Sequence, residues 1–270
     1  FFGWIAGWAL LAEYFIAVAF VASGLSANFR GLLATIGVNF PAALAHPFGT
    51  NGGIVDLVAV VVMLLVGILL SRGVSSAARV ENILVVMKVL AILLFLVVGL
   101  TAIHPENFHP FFPAYHLNAD GTPFGGWQGI YAGVSMIFLA YIGFDSIAAN
   151  SAEAIDPEKT MPRGILGSLL IAVFLFVSVG LVLLGMFPYQ DYANNAEPVG
   201  WALRHSGHAV VATVVESIAV LGMFTALIGM AMAGSRLLYS FGRDGMLPHG
   251  LGKLNSRKLP NRALAVLITI

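Results

Sequence analysis

The sequence predicts an all-α protein, a polytopic bundle of transmembrane helices. Three observations lead to this fold class: 59% of the 270 residues are apolar, only 10% are charged, and the mean hydropathy is +0.92. A soluble domain is typically about 45–50% apolar and about 25% charged, and a domain of this size has too little interior to bury the excess. The same composition excludes a disordered chain.

Apolar stretches that approach the length of a bilayer crossing recur along the chain. A transmembrane helix needs about 20 apolar residues. Spans are therefore expected at residues 1–25, 54–70, 83–103, 127–150, 164–186 and 212–238, with a truncated one from 263. Because residue 1 is not methionine and the last stretch is short, we expect an internal fragment of a larger protein, forming a single transmembrane domain.

Each span is justified by how few charges interrupt it. The first is interrupted only by Glu13 and the third only by Lys88, whereas the fifth carries no charge. The fourth contains Asp145, and the sixth has Glu216 near its outer end. The second span is one uninterrupted aliphatic run over most of its length. Most of the other charged residues lie between the spans, in the expected loops.

The basic residues predict the orientation of the bundle. Loops on the cytoplasmic side of a membrane protein are rich in Lys and Arg. Eleven basic residues belong to the side that includes loops 71–82, 151–163 and 239–262, and only Arg30 and Arg204 belong to the other. We therefore expect those three loops to be cytoplasmic and residue 1 to lie on the cytoplasmic side.

Composition also excludes several classes of partner and cofactor. The net charge is zero, so a nucleic-acid partner held by bulk charge is not expected. The chain has no cysteine, which excludes disulfides and thiolate metal ligands. Its histidines lie in loops without carboxylates at ligand spacing, so we expect no metal site and no cofactor. The lipid bilayer is the partner that the composition requires.

Charged residues inside the spans are the first functional candidates. A charge at mid-bilayer costs about 2.5–3.5 kcal/mol on insertion scales, and Glu13, Lys88, Asp145 and Glu216 incur that cost. Lys88 either extends its amine to the cytoplasmic interface or gains and loses a proton during function. Glu13 either contacts a substrate or holds a neighbouring helix, and Glu216 is expected to be interfacial or structural.

Two further patterns lie within the spans. Gly143 precedes Asp145 by two residues, which favours a break in the helix near residues 140–145. Broken helices expose backbone groups that bind the charged ends of transported substrates, although a glycine at a helix contact is the alternative. In the sixth span, Gly222 and Gly229 belong to a stripe of small residues typical of close helix packing, with Thr225 beside it.

Three motifs carry a resemblance to a known family. The stretches Gly7–Tyr14, Tyr141–Ile165 and Gly234–Pro248 resemble the third helix, the sixth helix with its following loop, and the end of the eighth helix of amino acid permeases. These permeases belong to the amino acid–polyamine–organocation superfamily, and the resemblance is nearest to its cationic amino acid transporter branch and bacterial relatives. It implies part of a five-plus-five inverted-repeat, LeuT-like fold, from about the third helix to the eighth.

The resemblance also implies roles for individual residues. Five positions match the unwound sixth-helix segment that receives the substrate's amino group; they are Phe138, as an aromatic gate, with Ala140, Ile142, Gly143 and Asp145. Glu13 matches an acid near the side-chain pocket. Lys88 and Thr225 match residues of the fifth and eighth helices that serve proton coupling in place of a sodium ion.

The expected function is secondary active transport of amino acids, driven by a proton gradient and working by alternating access. An exchanger of the same fold is the alternative, and the choice between cationic and neutral amino acids stays open. An intramembrane enzyme is disfavoured because every histidine lies in a loop and neither Gly-x-Ser-x-Gly nor His-Glu-x-x-His occurs. A multi-pass protein of a bacterial plasma membrane is expected.

Overall fold

The computed structural model describes residues 2–50, 52–73, 78–117, 121–141, 143, 156–193, 195–255 and 259–269. Within these ranges the protein is built almost wholly from α-helices. We number them α1 (Phe2–Thr35), α2 (Ala42–Ala45), α3 (Leu57–Ser71), α4 (Ala78–Leu100), α5 (Gly126–Ile137), α6 (Pro157–Met186), α7 (Pro198–His205), α8 (Ala209–Arg243) and α9 (Asn261–Thr269).

Four helices in the described ranges are long and apolar enough to cross a bilayer. The qualifying segments are Gly3–Thr35, Asn82–Leu100, Glu158–Met186 and Ala209–Arg243, and α3 is a shorter apolar helix. Several helices run past the expected spans: α1 ends ten residues beyond residue 25, and α6 begins inside the loop expected at 151–163. Helices extend in this way because the bilayer's polar interfaces add to its hydrocarbon thickness.

Helix α8 is the central element of the described structure. It packs antiparallel against α1, with Gly7 against Phe241, Gly234 against the Cβ of Tyr14, and Gly24 near the Sδ of Met223. A Cβ at Gly7 would lie 2.5 Å from the Phe241 ring, so glycine permits this close approach. The small residues therefore set the spacing of the two longest helices.

Two apolar clusters pack on different parts of α8. The first joins α1, α3, α8 and α9 around buried residues such as Leu25, Val66 and Leu227. The second joins α4, α6, α7 and the outer part of α8 around Phe95 and Leu203. One helix thus holds both halves of the described bundle together.

Polar caps define the ends of two helices. The Asp56 carboxylate accepts a hydrogen bond from the backbone N–H of Ala59 at the start of α3, and the Ser26 hydroxyl on α1 donates to the same oxygen. At the end of α8, Gly245 has φ +78°, and the N–H of Met246 donates to the carbonyl of Phe241. This is the Schellman arrangement, which explains the glycine in the third motif.

The fourth expected span departs from α-helical geometry before the expected break. Helix α5 ends at Ile137, and a 3₁₀ turn covers Phe138–Tyr141. Gly143 has φ +111°, a conformation that favours glycine. On the side predicted to be extracellular, β1 (His116–Leu117) pairs antiparallel with β2 (Pro123–Phe124) just before α5.

Candidate functional site

Lys88 and Thr225, which the resemblance assigned to proton coupling, are in contact. The Lys88 Nζ donates a hydrogen bond of 3.2 Å to Oγ1 of Thr225, across the packed pair α4 and α8. The Thr225 hydroxyl in turn donates to the backbone carbonyl of Gly222 at 2.9 Å. Because its proton is used within the helix, the Thr225 oxygen faces the ammonium as an acceptor.

The position of this contact bears on the two alternatives for Lys88. Thr225 lies near the middle of α8, which has 35 residues, so the ammonium lies deep in the bundle rather than at its cytoplasmic end. Lys88 is itself ten residues, about 15 Å, from the start of α4 at 1.5 Å per residue. The geometry therefore favours a lysine directed at a neighbouring helix over one that reaches the interface.

Glu13 lies at a different depth from the lysine. It is partly buried on α1, whereas the α1 residue at the level of Met223 is Gly24. Eleven residues of helix separate Glu13 from Gly24, or about 16 Å along the axis. The acid and the Lys88–Thr225 pair are thus separate parts of the structure, with Glu13 nearer the cytoplasm in the predicted orientation.

The residues expected to bind the substrate's amino group are only partly described. Phe138 is 67% exposed and Ala140 is also exposed, while Gly143 is partly exposed. Ile142 and Asp145 lie outside the described residues. Helix α5 packs mainly against β2 and the 3₁₀ turn, so its main contacts do not bring Phe138 to Glu13 or Lys88. Their role in substrate binding stays a prediction.

A buried ionic cluster on the side predicted to be extracellular was missed by reasoning from the sequence. Nη1 of Arg204 donates to both carboxylate oxygens of Glu216 at 2.7 Å, and Nη2 lies 2.8 Å from Oε1 of Glu197. The Glu216 side chain is only 2% exposed. Burial by itself lowers the pKa of Arg204. The carboxylates of Glu216 and Glu197 raise it by more than burial lowers it, so the pKa lies above its ordinary value.

Two glycines make room for this cluster. A Cβ on Gly200 of α7 would overlap Oε1 of Glu216, and a Cβ on Gly31 of α1 would overlap Oε2 of Glu197. The cluster therefore connects α1, α7 and α8 at their outer ends. The available sequence signal was the spacing of Gly200 and Arg204, which places both on one face of α7.

Aromatic residues hold the other flank of α7 against α6. Trp201 packs edge-on against Phe187 at 5.0 Å between ring centroids and against Tyr192 at 5.5 Å. The Tyr192 hydroxyl donates to the carbonyl of Leu183 at 2.7 Å. Burial, with the nearby charge of Asp191 as a second cause, raises the pKa of Tyr192 to about 12, which keeps this donor protonated at neutral pH.

Comparison with known proteins identifies relatives of the whole chain. A family model described as amino acid permease matches residues 1–270. The chain is 62% identical over 269 residues to the branched-chain amino acid permease BcaP of Lactococcus lactis subsp. cremoris (strain MG1363), covering 100% of this chain and 57% of that protein. It is 38% identical over 258 residues to the methylthioribose transporter of Bacillus subtilis (strain 168), covering 95% of this chain and 53% of that protein.

More distant relatives include plant proteins of the cationic branch. The chain is 30% identical over 255 residues to the vacuolar cationic amino acid transporter 4 of Arabidopsis thaliana, covering 94% of this chain and 41% of that protein. Overall, the chain spans about half the length of the relatives it matches. The three proteins are named as a permease or transporters, so the expectation that the chain is not an enzyme is confirmed.

Proposed function

The chain belongs to the amino acid permease family, and from this premise we propose that the full-length protein moves amino acids across the membrane by proton-coupled secondary active transport. The chain is an integral, multi-pass membrane protein, and its bacterial relatives support the plasma membrane of a bacterium as its location. Because the chain spans about half of those relatives, the activity belongs to the complete protein.

The observation that carries proton coupling is the hydrogen bond between Lys88 and Thr225. A lysine ammonium in a bundle of low polarity depends on an acceptor far more than a neutral amine does, because the ammonium carries the charge that burial penalises. Protonated Lys88 therefore holds α4 to α8 more strongly, and loss of the proton toward the cytoplasm weakens that link. In this mechanism the link controls whether the inner side of the bundle opens, and the proton gradient drives the cycle.

Transport by the full-length protein in proteoliposomes tests this mechanism. Lys88→Ala removes the titrating group, and Lys88→Arg retains a charge that is not lost at accessible pH. Both variants are expected to lose proton-driven uptake while retaining counterflow exchange, which needs no net proton movement. Lys253→Ala, in an exposed loop, is the matched control and should behave as wild type. Full proton-driven uptake by Lys88→Ala would refute the proposal, and loss of counterflow as well would point to a structural role.

Branched-chain amino acids are the first substrate candidates. The support is 62% identity to a protein named as a branched-chain amino acid permease, against 30% to one named as a cationic amino acid transporter. The partly buried carboxylate of Glu13 favours cationic amino acids as the second candidate. Leucine, isoleucine and valine should compete with the labelled substrate more strongly than arginine or lysine. If arginine competes best and Glu13→Gln abolishes that competition, the second candidate is correct.

A further inference from the structure

The stem of Lys88 crosses α8 at a glycine. A Cβ built on Gly222 would lie 2.7 Å from Cε of Lys88, 3.1 Å from its Cδ and 3.2 Å from its Cγ. Real side chains do not approach so closely, so the lysine occupies space that any other residue at position 222 would fill. Gly222 is buried, which leaves the stem no room on that face of α8.

The same residue also orients the acceptor of the lysine. The Thr225 hydroxyl donates to the Gly222 carbonyl at 2.9 Å. This fixes the hydroxyl proton, so the lone pairs of Oγ1 of Thr225 face Nζ of Lys88 at 3.2 Å. One residue thus contributes twice to the contact, through the side chain it lacks and through its backbone oxygen.

The atoms that obstruct position 222 argue against simple helix packing as the reason for this glycine. Gly229, on the same stripe of α8, would meet nothing within 4 Å among the described residues if it carried a Cβ. At Gly222 the three nearest obstructing atoms, Cγ, Cδ and Cε, belong to the side chain of Lys88 and not to the backbone of α4. We therefore expect an added methyl group to displace the Lys88 side chain before it separates the two helices.

We propose that Gly222 is a positioning residue for proton coupling, acting through Lys88 and Thr225. This inference rests on the proposed function of Lys88 and extends it to a residue that touches neither substrate nor proton. A substitution at position 222 moves the ammonium away from the Thr225 oxygen, so the bundle loses the proton-dependent link between α4 and α8 without losing its fold.

The test compares Gly222→Ala with wild type and with Lys88→Ala in the full-length protein. Gly222→Ala is expected to lower proton-driven uptake by about ten- to a hundredfold, the effect of losing one charged hydrogen bond, and to flatten the dependence of uptake on external pH. Counterflow exchange should be retained, and thermal stability should fall no further than it does in Lys88→Ala. Unchanged uptake with an unchanged pH profile in Gly222→Ala overturns the inference, as does a parallel loss of counterflow and thermal stability.

A double variant keeps the inference testable apart from the proposed function. If Gly222 acts only through the lysine, adding Gly222→Ala to Lys88→Ala causes no further loss of uptake or exchange. A further loss shows that Gly222 serves helix packing and overturns the inference. If Lys88→Ala alone retains full uptake, the proposed function fails. If Lys88→Ala loses uptake and Gly222→Ala does not, only the role of Gly222 fails.

Discussion

At the scale of single residues, one oxygen links two helices. Thr225 accepts from Lys88 and donates to Gly222, so its hydroxyl closes a chain of polar contacts within an apolar interior. A hydrogen bond to a charged group contributes about 1.5–3 kcal/mol. The contribution depends on the oxygen, because the methyl group of Thr225 offers no acceptor.

Substitutions at position 225 should separate the hydroxyl from the shape of the side chain. Thr225→Val keeps the shape and removes the acceptor, so proton-driven uptake is expected to fall by about ten- to a hundredfold. Thr225→Ser keeps the acceptor and should retain most of the uptake. Initial rates in proteoliposomes under a fixed pH gradient provide the measurement. Equal rates for the valine and serine variants would show that the oxygen is dispensable.

Sequence and resemblance predicted a shared role for Lys88 and Thr225, but not the contribution of Gly222. Lys88 and Thr225 are 137 positions apart, and matching motifs rather than local pattern suggested that they serve one purpose. In the sequence, Gly222 is one of four small residues at helical spacing (Gly222, Ala226, Gly229 and Ala233), and nothing in that pattern separates it from the others. Only the path of the lysine stem distinguishes Gly222 from Gly229.

At the scale of elements, the short outer helix α7 depends on a buried ion pair. The Glu216 side chain is 2% exposed, so removing Arg204 would leave a buried carboxyl group without its guanidinium. Breaking a buried ion pair from one side costs about 3–5 kcal/mol, because the remaining charge is not compensated. Removing one partner of the Arg204–Glu216 pair therefore lowers the free energy of unfolding by more than the intact pair contributes to it.

Thermal unfolding in detergent should show this asymmetry. Arg204→Ala is expected to destabilise the full-length protein by about 3–5 kcal/mol and to lower its Tm clearly. Arg243→Ala is the matched control, since Arg243 and Asp244 form an exposed pair at 3.5 Å that contributes about 0–1 kcal/mol. Indistinguishable Tm values for the two variants would contradict a structural role for the outer cluster.

The elements were partly accessible from the sequence. Runs of apolar residues indicated where helices lie, but helix ends depend on caps and interfaces that hydropathy does not report. Helix α1 continues to Thr35 through a polar stretch, and Pro157 begins α6 inside an expected loop. The partner of Glu216 was not predictable, because Arg204 was counted among loop charges and the fold of α7 brings the two together.

At the scale of the whole molecule, the basic residues predict which side each loop faces. Since the chain has no cysteine of its own, single cysteines can report this orientation in a full-length protein cleared of any others. Gln190→Cys, exposed on the outer side, should react with an impermeant maleimide in intact cells. Lys253→Cys should react only after the membrane is permeabilised, and the reverse pattern would invert the predicted topology.

The contacts on the two flanks of α7 have a consequence for the neighbouring helices. Trp201 of α7 packs against Phe187, directly after α6, and Arg204 of α7 donates to Glu216 of α8, so α7 is attached to both neighbouring helices. We therefore expect a tilt of α6 to move α8 with it, and α8 carries Gly222, against which the Lys88 stem packs.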